Sequence, residues 1–189
     1  MDLTLADLKP AISERLTALG DRIHVEHFRK LIEPLAEQVL RDGFVQAGAD
    51  EGTVWLLDEA AENLVPAFNS GPNAAELVGK FTQPLNQGLV CMVLASEQPF
   101  LENEVWKSSQ HSKALDGLLR TQTQAMIAVP FYFLRACRGV VSCVQLKLPQ
   151  RAAGLTGFRP EHLSQIERTS ALLSRLIELR LVLEAIGWE

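Results

Sequence analysis

The sequence predicts an α+β domain with α/β/α layering, in which helices cover one face of an antiparallel sheet and a different layer covers the other. Residues 125–133 and 138–146 are dense in β-branched and aromatic side chains, and the four residues between them indicate a β-hairpin. Apolar residues fall on both faces of the second stretch, so a strand there must be covered twice. Helix-period stretches at both ends of the chain can supply one of the two layers.

The composition narrows the class of protein. A chain of 189 residues can form one good-sized core, and 47% hydrophobic with 22% charged residues is ordinary for a globular protein. No apolar stretch is long enough to cross a bilayer and the N-terminus lacks a secretory signal, so we expect a soluble, cytoplasmic protein with no membrane partner. The net charge of −5 and the scattered basic residues argue against direct nucleic-acid binding.

The first 44 residues predict helices. Leucines at three- and four-residue intervals indicate a first helix, and we expect Asp21 to cap a second one that ends at Gly43. Pro34 lies inside the second apolar run. It should kink that helix or split it after Ile32, because proline in a helix interior costs about 3 kcal/mol.

The middle of the chain changes to a β-type period. Residues 53–57 and 64–68 predict a second hairpin, in which Pro66 should lie at an edge or where no ladder bond is needed. Residues 89–95 form an apolar run that periodicity assigns equally well to a buried helix or a strand. A weaker helical pattern follows at 111–121.

The last element is the longest. After a predicted loop at 149–158, Pro160 occupies a first helical position, and the pattern continues to Ile186 before Gly187. One apolar stripe of this helix can cover the sheet; it consists of Leu163, Ile166, Leu173 and Ile177. A second stripe needs another partner; it consists of Leu172, Leu176, Leu179, Leu183 and Ile186.

We interpret this second stripe as a homodimerisation surface. Each of its five residues can contribute roughly 1.5–3 kcal/mol when buried. Summed over both chains, this contribution exceeds the cost of association, which is on the order of 4–15 kcal/mol. The N-terminal helices of the same chain are the alternative cover.

The order of these predicted elements resembles that of the GAF domain. The sequence GTVWLLDEAAENLVPAF is similar to the opening hairpin of that family, and QPLNQGLVCMVLASEQPFLENEV is similar to its Gly-containing turn, helix and following strand. The segments QAMIAVPFYF and RGVVSCVQLK look like the two central strands of that family. The resemblance implies N-terminal helices at 1–44, a GAF core at 45–148, a loop at 149–158 and a helix at 159–189 in the same domain. It places both terminal helices on one sheet face and a pocket-forming helix and loop layer on the other.

The resemblance also implies a function. Family members mostly sense small molecules and pass the signal through helices shared by a dimer, so we expect a small-molecule-sensing regulatory domain in signalling or transcriptional control, acting as a homodimer. The ligand and any cofactor are unknown, and with no output domain following, an unknown output protein is the expected partner. The alternative is a ligand-free protein–protein interaction module. A cavity of about 300 Å³ or more would favour sensing, and a packed interior would favour assembly.

Six residues are candidates for ligand binding in that pocket, each weighed against a plain core or surface role: Trp55, Phe68, Cys91, Met92, His111 and Met126. His111 could donate to an anionic ligand or bind haem, with a solvated or capping histidine as the alternative. The cysteine that would attach a bilin and the motif of cyclic-nucleotide-binding members are both absent.

A third hypothesis is redox activity at Cys91. Free methionine sulfoxide reductases with this fold carry a cysteine in a Gly-Val-Cys-Gly sequence, whereas here it lies in Gly-Leu-Val-Cys-Met. A second cysteine to resolve the sulfenic acid has no counterpart between Cys91 and Cys137. Cys91, Cys137 and Cys143 therefore suggest buried thiols, and we expect no enzymatic activity.

No metal site is expected either. His24 and His27 are spaced three residues apart on the polar side of the second helix, without a further cysteine or histidine nearby. Solvated surface is the better account of that pair.

Overall fold

The computed structural model describes residues 5–147 and 157–188. The predicted loop at 149–158 therefore lies almost entirely outside the described residues. The elements run in the order α1 (Leu5–Asp21), α2 (Val25–Leu31), α3 (Pro34–Gln46), β1 (Glu51–Leu57), β2 (Asn63–Asn69), α4 (Ala74–Leu77), β3 (Gln83–Pro84), α5 (Leu89–Ser96), β4 (Phe100–Glu102), α6 (Ala114–Leu119), β5 (Thr123–Phe133), β6 (Ala136–Leu146) and α7 (Pro160–Ile186). A single 3₁₀ turn, Val105–Lys107, lies between β4 and α6.

The strands form one antiparallel sheet in the order β3-β2-β1-β6-β5-β4. The predicted central hairpin is confirmed as β5 and β6, but its turn is shorter than the four-residue connection expected. Leu134 and Arg135 alone form it, with φ angles of 51° and 64°. Two consecutive positive φ values suit the right-handed twist of the flanking strands, so the pairing can extend to Ala136.

Helices cover one face of the sheet. α7 packs on β5 and α3, while α2 packs on β2 and α1 lies along α7. The core between these helices and the sheet is mainly apolar, with Thr169 and Ser170 of α7 as buried polar members; its large apolar members include Phe28, Phe44, Phe131, Phe133, Ile127, Ile166, Leu173 and Ile177. This arrangement confirms the α+β prediction with the terminal helices on one face.

A smaller apolar cluster lies on the opposite face. α5 packs there against β5 and β6, and the buried members of this cluster are Trp55, Leu64, Val90, Cys91, Val93, Ala128 and Val140. The ambiguous apolar run is thus a helix, and it begins after Gly88, whose φ of 94° suits glycine.

The N-terminal helices confirm one prediction and correct two. Pro34 splits the helical run, because α2 ends at Leu31 and α3 begins with the proline at its first position. Asp21 is the last residue of α1 and does not cap α2. Gly43 does not end a helix but lies buried inside α3, because Thr169 of α7 occupies the space that a side chain would need.

Pro66 lies in β2 at a position that needs no ladder donor. β3 pairs only with Asn63 and Leu64, so it does not reach the proline. The carbonyl of Pro66 instead accepts a hydrogen bond from Gly79 at 2.9 Å. On the other side Trp55 pairs with Pro66 next to a register shift, as expected for a proline tolerated at an irregular position.

α7 has the predicted limits, from Pro160 to Ile186, and Gly187 follows with a φ of 73°. Its first stripe is buried at Ile166, Leu173 and Ile177. Leu181 and Ala185 extend the buried face toward the end of the helix, which the sequence-based stripe did not include. None of the helices in the described ranges combines the length and hydropathy needed to cross a membrane.

The second stripe of α7 is divided. Leu172, Leu179 and Ile186 remain 46%, 57% and 48% exposed. Leu176 is partly buried and packs against the helix-side core of its own chain, and Leu183 is partly buried too. Packing within the same chain, the alternative to a dimer, therefore covers only part of the second stripe.

Candidate functional site

A small cavity lies on the sheet face opposite the terminal helices. Its volume is about 60 Å³, room for roughly four to six water molecules. The sheet floor comes from β1, β2, β5 and β6, and the walls come from α5, α6 and the segment around Gln83. This volume lies below the about 300 Å³ that would favour a ligand of ordinary metabolite size.

Polar side chains line the floor of the cavity. The indole nitrogen of Trp55 donates to the hydroxyl of Ser142 at 2.9 Å. The amide of Asn69 donates to the hydroxyl of Thr53 at 2.9 Å. These groups satisfy one another, so the floor is polar and preorganised.

One carboxylate ties α6 to the sheet. Asp116 of α6 accepts hydrogen bonds from the backbone N–H of Thr123 at 3.1 Å and from its hydroxyl at 2.7 Å. Nε2 of His111 lies 3.0 Å from the same carboxylate. Because α6 has no fully buried residue, these bonds hold the helix over the cavity.

The environment of Asp116 favours its charged form. Burial raises the pKa of this carboxyl, but hydrogen bonds from His111 and Thr123 and the charge of His111 outweigh burial, so the pKa is lowered. A lowered pKa in the folded state contributes stability above the pKa of the unfolded chain, and this stability is lost as the pH falls through the folded-state pKa.

We expect Asp116→Ala to lower the free energy of unfolding by about 1–3 kcal/mol at neutral pH, because Thr123 and His111 lose a charged partner. Urea unfolding measures the change. The difference from the unsubstituted chain should shrink as the pH falls below about 3.9, the usual pKa of an unfolded aspartate. Asp42→Ala is the matched control, since that exposed aspartate bonds only to the exposed Gln38, among the described contacts. A difference that persists undiminished at pH 2 would contradict an electrostatic origin.

Cys91 is held as a thiol. It is buried in α5, its Sγ donates to the carbonyl of Pro84 at 3.4 Å, and burial raises its pKa to about 11. Burial also raises the pKa of Cys143, to about 12. At neutral pH neither cysteine provides the thiolate that nucleophilic or redox chemistry needs.

A surface groove runs along the outside of α5, next to the cavity. Cys91 and Met92 line the groove but not the cavity. Gly88, His111 and Ser112 line both. These three residues therefore separate the cavity from the outer groove.

The structure brings only part of the predicted set together in the cavity. Trp55, His111 and Met126 line it. His111 is not the solvated histidine that the alternative proposed, because its side chain is only 7% exposed and pairs with Asp116. Phe68 is a correction: it belongs to the helix-side core, with the guanidinium of Arg41 5.4 Å from its ring, since it lies on the opposite face of β2.

Sequence reasoning missed the polar part of the lining, above all Glu51 and Asp116. The predicted strand began at Thr53, so Glu51 was left in the preceding loop. A signal was present, because Glu51, Thr53 and Trp55 alternate along the chain and must share one face if the strand starts two residues earlier. The contact between Asp116 and Thr123 had no such local signal.

No three histidine, cysteine, aspartate or glutamate side chains in residues 5–147 and 157–188 come together in a group that could hold a metal ion. His24 lies at the start of α2 and is partly buried, and His27 is exposed within that helix.

Comparisons with known proteins identify the fold. No protein-family model matches the chain. No curated protein matches it at a significant level either. Solved structures do match over most of the chain. One is the GAF domain of a phosphoenolpyruvate-protein phosphotransferase from Coxiella burnetii, with 17% identity, a TM-score of 0.63, and coverage of 97% of this chain and 99% of that one.

Two further matches come from different kinds of protein. A methyl-accepting chemotaxis protein shares 16% identity at a TM-score of 0.61, covering 92% of this chain and 98% of that one. A free methionine-R-sulfoxide reductase from Neisseria meningitidis, solved with its substrate, shares 15% identity at a TM-score of 0.51, covering 98% of this chain and 93% of that one. The chain has the GAF fold, as the resemblance of its motifs indicated.

Proposed function

We propose that this chain is a regulatory GAF-fold domain that senses a small molecule in the cavity and acts as a homodimer through its terminal helices. The observation that carries the proposal is a polar cavity covered by α6, a helix with no fully buried residue that one carboxylate ties to the sheet. A ligand that changes the position of α6 would change the contacts of Thr123 at the start of β5, and β5 packs against α7. Signalling or transcriptional control is the setting we propose for this output.

The size and charge of the cavity limit the ligand. Among the described residues, Glu51, Asp116, His111 and the buried thiol of Cys143 are the titratable side chains that line it, and this described lining includes neither lysine nor arginine. An anion such as a cyclic nucleotide would meet two carboxylates without a compensating cation, and it would not fit the about 60 Å³ available. A small neutral or cationic molecule fits the lining better. A larger one would have to displace His111 and Ser112 toward the outer groove.

The small cavity also favours a second candidate function. A ligand-free interaction module needs no cavity. The cavity volume of about 60 Å³ lies below the about 300 Å³ that would favour sensing, and so it favours such a module. Exposed apolar residues on α7 would then serve a partner protein or a second copy.

Native mass spectrometry of the protein purified from its own cells tests both candidates. Sensing predicts a retained small molecule, seen as an excess mass that is lost on denaturation, together with a dimer. A dimer or a protein complex without excess mass at any ligand-preserving condition would favour the interaction module. A ligand that crosslinks to residues outside the cavity lining would count against the cavity as the sensing site.

We also propose that the chain is not an enzyme. One structural neighbour is a reductase, but the burial of Cys91 and the raised pKa of its thiol do not support that chemistry here. We expect no turnover of free methionine sulfoxide with a thiol reductant, and no difference between the unsubstituted chain and Cys91→Ser. Turnover that disappears in Cys91→Ser would establish the reductase alternative.

The dimer proposal rests on α7. This helix packs against β5 and α3, which supports treating it as part of the same domain, and its exposed side carries Leu172, Leu179 and Ile186. The output protein and the cytoplasmic location remain predictions, as does the lack of a nucleic-acid or membrane partner.

A further inference from the structure

Glu51 is a buried carboxylate at the edge of the cavity. It is the first residue of β1, pairs with Val144 of β6, and is only 8% exposed. Its side chain lines the cavity and packs against Gly71, where even a single added carbon would collide with the carboxyl group. The lack of a side chain at position 71 thus leaves room for this acid.

Within the part of the chain that the structure describes, the Glu51 carboxylate has neither a hydrogen bond nor an ion pair. The other acid of the cavity, Asp116, is fully engaged with Thr123 and His111. This unpartnered carboxylate borders the cavity, and burial together with the charge of Asp50 raises the pKa of Glu51. The folded chain therefore contains an acid that would gain from a cation placed in the cavity.

We infer that the cavity binds a small primary ammonium compound, whose charged nitrogen pairs with Glu51 and whose short apolar part contacts the wall of the cavity. This inference rests on the sensing function proposed above and names the class of ligand. The apolar wall is available in Leu89, Val90 and Met126. The volume of about 60 Å³ restricts the compound to a few non-hydrogen atoms.

An ammonium ion fits this site better than a metal ion. A divalent cation needs several charged or neutral oxygen or nitrogen ligands, and in the described ranges no three metal-ligating side chains come together. An ammonium group needs one carboxylate and hydrogen-bond acceptors, which Glu51 and the polar floor supply. Because it forms a charge-assisted hydrogen bond to the carboxylate, the ammonium compound should bind more tightly than a neutral ligand of the same size.

The test uses n-propylammonium chloride and its neutral counterpart propan-1-ol at about pH 8, below the usual pKa of about 10 for an alkylamine. The ¹³C-labelled methyl group of Met126 reports binding in the cavity, and that of Met92 reports binding in the outer groove. Sodium chloride at the same concentration controls for ionic strength. We expect a saturable shift of the Met126 methyl, with propylammonium binding at least about tenfold more tightly than propanol.

Two variants complete the design. Glu51→Gln keeps the shape of the side chain and should weaken propylammonium binding about tenfold or more, to the level of propanol. Glu59→Gln is the matched control, because this glutamate is exposed in the loop between β1 and β2 and should leave binding unchanged. If Glu51→Gln does not fold, the comparison of the two probes on the unsubstituted chain still decides.

The outcomes separate the inference from the proposed function. Equal binding of both probes at Met126, unaffected by Glu51→Gln, would overturn the ammonium inference and leave the cavity as a binding site. Shifts confined to Met92, or no shift at all, would overturn the inference, and retained ligand in native mass spectrometry would then still distinguish sensing from assembly.

Discussion

Gly139→Ala is expected to lower the free energy of unfolding by about 3 kcal/mol or more, a large part of the 5–15 kcal/mol typical of a domain. Gly139 lies in β6, between Leu56 of β1 and Phe131 of β5. A methyl group added here would collide with the backbone carbonyl of Trp55, and its nearest atoms lie closer than side chains ever pack. A side chain could rotate away from such a clash, but the backbone of a paired strand cannot. Urea unfolding measures the effect.

Gly117→Ala is the matched control for this prediction. Gly117 lies in α6, and a methyl group there would meet no atom within 4 Å. Because alanine favours a helix over glycine, this substitution should stabilise the chain by about 0.5–1 kcal/mol. If both substitutions changed the free energy of unfolding equally, the tight approach of β1 and β6 at Gly139 would be contradicted.

The double substitution Leu172→Lys and Leu179→Lys is expected to weaken the proposed dimer at least about a hundredfold while the chain stays folded. Both leucines are about half exposed in the single chain, so burial against a second copy would contribute roughly 1 kcal/mol or more per side chain. Four such side chains per dimer, together with the repulsion of new like charges, exceed the 2.7 kcal/mol or so that corresponds to a hundredfold change.

Sedimentation equilibrium across a concentration series measures the dissociation constant. Leu176 is unsuitable for this test, because it packs against the core of its own chain and a lysine there would destabilise the fold itself. Val45→Lys is the control, since Val45 is 73% exposed on α3 and lies outside the stripe. A dimer that survives the double substitution would refute the α7 interface, and so would a chain that is monomeric before any substitution.

Predictions from residues close together in the sequence were correct where the structure depends on a single element. Pro160 and Gly187 predicted both ends of α7, and Pro34 predicted the break between α2 and α3. They failed where a distant neighbour decides. Gly43 has the residue type of a helix end, yet it lies inside α3, where Thr169 of α7 occupies the space that a side chain would need.

The candidate site shows the same division. Trp55, His111 and Met126 were among the six candidates for the pocket, and they line the cavity. Phe68, also a candidate, packs in the helix-side core instead, because a register shift between Val54 and Trp55 changes the alternation of side chains along this pair of strands. Such a shift depends on how two strands pair and leaves little trace in either strand alone.

The amino-acid sequence by itself determined the central hairpin, the limits of α7 and the two-sided cover of the central strands, because the period of a long helix or strand is carried by residues that are close together in the chain. Only the folded chain decided how much space remains above the sheet and which polar groups share it. Glu51, Asp116 and Ser142 come from three distant segments, and they meet at one cavity. Whether one of them lacks a partner depends on all neighbours at once, and this is why the absence of a partner for Glu51 within residues 5–147 and 157–188 became apparent only in three dimensions.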